Sequence, residues 1–239
     1  LGFEEDYLTM AEYMGYEKAL NAKLVPMNAA IHSFRAVKEP WELEIMRKAQ
    51  DITDAAFSDV VKRIHAGMSE KDLQAELIYC LYKNGAEGLS FDPIVVSGPN
   101  TSMPHGVAGD RKLQDGDFIT MDFGVLYKGY CSDMTRTVAL GYATEEMKKV
   151  YATVLEAQLA GIAVTKAGVT GQSIDGAARK VIADAGYGGV LDGRGAVRPV
   201  CSGCGHLPVY HALCVPLCPS AGAAAAGDGE ERILYRYAA

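Results

Sequence analysis

Apolar residues recur along this chain with two periods, and the switch between them marks the elements. From Trp41 to His65, the residues Ile45, Ala49, Ile52, Ala56, Val60 and Ile64 fall three or four apart, the spacing of one helix face. Pro40 near the first turn and Gly67 past the end suit that helix. Ser69 then caps a second helix, in which Leu73, Leu77 and Leu81 form a stripe and Gly85 is the stop. Phe91 to Val96 reads as a strand, bounded by the turn-forming run Ser97-Gly98-Pro99-Asn100. Two longer β patterns follow, Phe118 to Leu126 and Tyr130 to Val138, joined at Tyr127-Lys128-Gly129. A third helix starts at Thr144, with Glu145 and Glu146 placed for the helix dipole, and carries Val150, Val154 and Ala157 toward Val164. A fourth runs from about Gln172 to Ala185, with Ile174, Ala178, Val181 and Ile182 apolar and Gly186 at its end.

The helices repeat. A shift of 101 residues aligns Ala66-Gly67-Met68-Ser69 with Ala167-Gly168-Val169-Thr170, Leu73 with Ile174, Leu81 with Ile182, and Gly85 with Gly186. The same punctuation at the same offset points to a duplicated α+β half-domain. Residues after about Gly189 are then due to repeat the strand, loop and hairpin of 89–140, and they do not. Residues 189–239 lack a period-2 pattern, run to Ala221-Gly222-Ala223-Ala224-Ala225-Ala226-Gly227, and hold four of the six cysteines. The expected organisation is therefore a preceding segment 1–35, a main segment 36–188 and an aberrant tail 189–239.

Composition narrows the function classes. With 49% hydrophobic and 22% charged residues the chain is globular rather than disordered. A net charge of -7 argues against a nucleic-acid partner. No apolar run reaches the roughly 18 residues needed to span a bilayer, so no membrane partner is expected and the cytoplasm is the default location. The first residue is leucine, which reads as a chain lacking its natural start.

Asp122 and Asp133 are the chemically pointed residues. They lie symmetrically about the Tyr127–Lys128 midpoint, so a two-residue hairpin loop there sets them opposite each other with Cβ atoms roughly 5 Å apart. Two carboxylates at that distance repel by about 3 kcal/mol at an effective dielectric near 20. A retained proton, a bulge that shifts the register, a cation between them, or plain solvation on an open sheet face would each relieve it. His105, in the loop Ser97 to Gly106, is either a solvated loop histidine or, read with the two aspartates, a proton donor or substrate contact. Cys201, Cys204, Cys214 and Cys218, with His206 and His211 between them, could be read as a zinc cluster, although the central gap is short for a ribbon and no strand signals flank it. Cys80, on the apolar face of the second helix, is expected in the core.

Four stretches together resemble the pita-bread metallopeptidases, the family of methionine aminopeptidases, Xaa-Pro aminopeptidases and prolidases. They are Phe91-Asp92-Pro93-Ile94-Val95-Val96-Ser97-Gly98, Met103-Pro104-His105, Gly116-Asp117 leading to Met121-Asp122-Phe123-Gly124, and Gly129-Tyr130-Cys131-Ser132-Asp133-Met134-Thr135-Arg136-Thr137. The resemblance spans roughly 36–188 and leans toward the Xaa-Pro branch, with 1–35 similar to the trailing end of that branch's N-terminal domain. It implies an α+β pita-bread fold with a pseudo-twofold internal repeat and an incomplete second half. It also implies hydrolysis of the bond before proline in a short peptide with proline at its second position, two divalent metal ions (manganese, cobalt or zinc), and room for a homodimer. On this resemblance Asp122 and Asp133 are two of five metal ligands and His105 contacts the substrate. A creatinase-like hydrolase and a non-catalytic peptide-binding module are the alternatives on the same fold.

The resemblance also implies a Gly-His-Gly ligand and two strand glutamates in the second half, and none is found after Gly188: Gly205-His206-Leu207 has the wrong neighbours, and Glu230 and Glu231 lack Pro-Gly. The chain as written is thus expected to bind metal weakly and to be inactive. A reading-frame shift near Gly188 to Val190 would explain the tail's composition and the lost ligands together. Translating the nucleotide sequence in all three frames tests this, and an open frame with no hidden Gly-His-Gly or Glu-Pro-Gly overturns it.

Overall fold

The computed structural model describes residues 1–103 and 105–188. The chain divides into two compact units, Leu1–Glu44 and a larger one from Ile45 onward. In the first, the two-residue strands β1 (Gly2–Phe3) and β2 (Val25–Pro26) pair in parallel around α1 (Met10–Ala19), and α2 (Asn28–Ala36) follows. Thr9 and Glu12 form a capping box that starts α1, a helix that buries no residue.

The larger unit is built on α3 (Pro40–Val60) and α4 (Glu70–Lys83). The expected stripes are the observed core: Ala49, Ile52, Ala56 and Val60 of α3 pack with Leu73, Leu77, Cys80 and Leu81 of α4. Ser69 caps α4 through a box with Asp72. Strands β3 (Gly88–Leu89), β4 (Ile94–Ser97), β5 (Phe118–Phe123), β6 (Val125–Tyr127), β7 (Tyr130–Cys131) and β8 (Met134–Ala139) form two three-stranded sheets, ordered β3-β6-β7 and β4-β5-β8. Val95, Ile119, Met121, Phe123, Met134 and Val138 turn one face of the second sheet into the core.

The strand predicted from Phe91 begins only at Ile94. Pro93 has no N–H to give a ladder and restricts the residue before it, so the start moves past it. The long hairpin strands are each broken, at Gly124 and at Ser132-Asp133. A Cβ on Gly124 would strike the backbone carbonyl of Ser132 and Oγ of Ser90, so only glycine admits the close approach at the break. Thr53 of α3 secures it. Thr53 Oγ1 donates to the Ala49 carbonyl (3.0 Å), which leaves the Ser132 hydroxyl to donate to Thr53 (2.6 Å) while accepting from the Val125 N–H (2.9 Å).

The chain ends its described part with α5 (Glu145–Val164) and α6 (Gly171–Ile182), which pack on each other and continue into one π-helical turn, Ala183–Tyr187. Val154, expected on the apolar stripe of α5, is exposed, and Thr153, Ala157 and Gly161 are the buried face. The 101-residue repeat holds in the backbone: Ser69 and Thr170 are both N-caps, and Gly67, Gly168, Gly85 and Gly186 all have positive φ. The expectations for 189–239, including the cysteine and histidine cluster and the missing second hairpin, lie outside the described residues.

Gly124→Ala is expected to destabilise the fold by about 1–3 kcal/mol or more through overpacking at the break. Gly176→Ala, in α6 with open space around the added methyl, is expected to stabilise it by about 0.5–1 kcal/mol. Urea unfolding midpoints of the two variants check both signs.

Candidate functional site

The turn that sets the hairpin register lies one residue later than the sequence symmetry suggests. Lys128 (φ 49°) and Gly129 (φ 81°) both hold positive φ, the signature of a two-residue type I′ turn, and the Lys128 N–H is tied to Glu87 (2.8 Å). Tyr127 therefore pairs with Tyr130, and the ladder beyond the break keeps that register. Asp122 faces Thr135, not Asp133. The expectation of two directly opposed carboxylates is thus corrected: in this register Asp133 comes level with Gly124.

Asp122 sits on the central strand, opposite Ile94 of β4 and Thr135 of β8, and is only 5% exposed. Thr135 Oγ1 donates to its Oδ1 (2.9 Å), and two residues along the same face Thr120 and Thr137 share a hydroxyl hydrogen bond (2.9 Å). This face is mostly half-buried, in contrast to the core face, so a buried aspartate on it is conspicuous. Asp133 is half-buried, next to the Ser132 that is locked to α3. At the other end of the face, Phe118 meets Tyr151 of α5, ring centroids 6.5 Å apart.

His105 is exposed, in the segment that leaves β4. Its neighbour Gly106 lies so close on Val96 that an added Cβ would come within 2.6 Å of Val96 Cγ1. Val96 pairs with Thr120 and so shares the face of Asp122. The loop bearing His105 thus runs over the same side of the sheet as the buried aspartate.

What holds this loop is a set of charged residues of which the sequence motifs include only Asp117. Glu70, in the first turn of α4, is fully buried. Its Oε1 accepts from the Ser97 N–H (2.8 Å), the Ser97 hydroxyl (2.8 Å) and the Asn100 amide (3.1 Å), and its Oε2 from the Gly109 N–H (2.9 Å). Burial alone would raise the Glu70 pKa, but the bonds from Gly109, Ser97 and Asn100 together hold it below the ordinary value. Arg111 grips Asp117 with both terminal nitrogens (2.6 and 2.8 Å) and also donates to Ser97 Oγ (2.7 Å). That bond to Asp117 raises the pKa of Arg111. In sequence Glu70 looks like any acidic residue of a first helical turn, and no local signal separates the buried from the solvated kind.

Among the described residues no group of three His, Cys, Asp or Glu side chains is arranged to hold a metal ion. Asp122 and Asp133 offer hard oxygen donors of the type divalent cations take, so they fit part of such a shell without closing it.

Residues 44–211 match metallopeptidase family M24. The chain belongs to this family. It is 36% identical over 187 residues to the Xaa-Pro dipeptidase of Pyrococcus horikoshii, covering 78% of this chain and 51% of that one. Among solved structures it is similar to an Xaa-Pro dipeptidase from Bacillus anthracis, with TM-score 0.75, 43% identity and coverage of 79% and 53%. It is also similar to an X-Pro aminopeptidase from Thermotoga maritima, with TM-score 0.76, 39% identity and coverage of 78% and 53%. The chain spans about half the length of the relatives it matches. The fold is the α+β pita-bread fold of these peptidases. Among the described residues no helix is long and apolar enough to cross a membrane.

Because Glu70 binds fewer protons folded than unfolded, its contribution to stability is complete above its ordinary pKa near 4.5 and is lost as pH falls through the lower folded value. Urea unfolding midpoints of the wild type are expected to drop below pH 4.5, and Glu70→Gln to drop less over the same range.

Proposed function

We propose that this M24 chain contributes Asp122, Asp133 and His105 to an Xaa-Pro peptidase site that cleaves the bond before proline in a short peptide with proline at its second position. The observation that carries this reading is Asp122, a buried carboxylate on the central strand, oriented by Thr135, with the His105 loop on the same sheet face. Relatives described as Xaa-Pro dipeptidases support the substrate class. Asp122 and Asp133 would hold divalent metal, two ions of manganese, cobalt or zinc in this reading, and the bound metal supplies a Lewis acid for the scissile carbonyl. His105, exposed beside that face, contacts the peptide and holds or donates a proton at an imidazole nitrogen. Thr135 keeps the Asp122 carboxylate turned toward the site. Residues 1–35 belong, in the same proposal, to the trailing end of an N-terminal domain of the Xaa-Pro type. The free thiols of Cys80 and Cys131 suit a cytoplasmic location.

A second reading is a non-catalytic module that binds peptide on the same fold and hydrolyses nothing, since a fold by itself does not fix the reaction.

With two of the five ligands the resemblance implies, the chain as written is proposed to bind metal weakly and to be inactive. Metal analysis and cleavage of an Xaa-Pro dipeptide under added manganese therefore separate the two readings in full-length protein. The first reading expects bound metal and hydrolysis, both lost in Asp122→Ala. Hydrolysis that persists after metal removal overturns it, and peptide binding with neither metal nor turnover establishes the second. Thr135→Ala is expected to lower metal affinity by about 10–100-fold, as loss of a ligand-orienting partner does, measured by titration calorimetry.

A further inference from the structure

The segment that carries His105 leaves β4 at Ser97 and returns to α4 at Gly109, and one buried carboxylate holds both of its ends. Glu70 takes the outgoing end at Ser97 and Asn100 on Oε1 and the returning end at Gly109 on Oε2. Nothing in the proposed chemistry uses Glu70, yet it is fully buried, and a buried carboxylate is costly unless it meets several donors. Backbone bonds from Glu70 N–H to the Arg111 carbonyl (3.1 Å) and from Lys71 N–H to the Gly109 carbonyl (3.2 Å) bring the returning end to the helix start. The side chain then bridges from that end to the outgoing one. Helix capping needs none of this, because Ser69 and Asp72 already form the capping box.

We propose that Glu70 is a positioning residue, the clasp that holds the His105 loop against the sheet face bearing Asp122. The inference deepens the peptidase reading, on which the importance of His105 rests, but the clasp has readouts that need no catalysis. An ionised carboxylate accepts at both oxygens, whereas the amide of glutamine presents a donor at one of them. Glu70→Gln therefore sets an N–H against an N–H at one end of the loop and keeps the other. Asn100→Ala removes a single donor from the outgoing end, at a half-buried position, and tests the clasp should the first variant fail to fold.

The experiment is amide hydrogen exchange of the whole chain, with the His105 imidazole resonances assigned by His105→Gln. In Glu70→Gln, the Gly109 amide and the amides around His105 are expected to exchange at least about 10-fold faster relative to those of β5. In Asn100→Ala the gain is confined to Thr101 through Met103. The imidazole resonances shift in both variants. If the wild type cleaves an Xaa-Pro dipeptide, Glu70→Gln lowers kcat/KM by the same factor as His105→Gln does, and the double variant loses no more. Uniformly faster exchange with an unmoved His105 resonance would show Glu70 to be a packing residue only, and overturns the proposal. Absence of turnover in the full-length wild type sinks the peptidase reading alone, since exchange and the imidazole signal still decide the clasp.

Discussion

The type I′ turn at Lys128 and Gly129 decides where every later side chain of the hairpin lands. Its two central residues both need positive φ, which glycine adopts freely and lysine only at a cost that its surroundings must cover. The Lys128 N–H meets the Glu87 carboxylate, and that bond helps hold the turn in place. Had the turn formed one residue earlier, the register would have moved by two, and Asp122 and Asp133 would have been forced into direct opposition. As it is, Thr135 occupies the place opposite Asp122 and gives it a hydroxyl in place of a second negative charge.

A break in a hairpin is ordinarily a weak point, and here it is bound into the core. Gly124 lets the strands close, and the Thr53 to Ser132 hydroxyl pair connects the break to α3. Asp133 follows Ser132 directly, so its backbone position depends on a helix more than seventy residues earlier. The same logic governs the other side of the face. Glu70, Ser97, Arg111 and Asp117 form a connected set of charges and hydroxyls in which each buried acceptor has donors, and the loop with His105 hangs from it. Such networks add little net stability over apolar packing but tolerate few alternative arrangements. Local precision at the candidate site thus comes from polar contacts, while the bulk of the stability comes from the α3 and α4 stripes beneath the sheet.

Much of the fold was legible because its signals are local. Helical spacing, the caps Ser69 and Thr144, and the stop Gly85 involve residues within a turn or two of each other, and each is found where the pattern put it. The repeat is legible for the same reason, since it compares one local pattern with another. The start of β4 was misread because period-2 alternation ignores the missing N–H of Pro93. The exposure of Val154 was misread because an apolar residue on a helix says nothing about whether a partner covers it.

Sequence alone therefore determined the four helices α3 to α6, the existence of the hairpin and the resemblance to the pita-bread metallopeptidases, and it nominated His105, Asp122 and Asp133 as candidates, while the short helices α1 and α2 went unseen. Tertiary structure alone decided that Asp122 faces Thr135, that the His105 loop crosses the same sheet face, and that Glu70 lies buried between the two ends of that loop. The physical reason is one of range. Propensity, capping and periodicity act over a few residues, whereas register depends on which two residues take positive φ, and the burial of a charge depends on donors that arrive from 27 to 39 positions away.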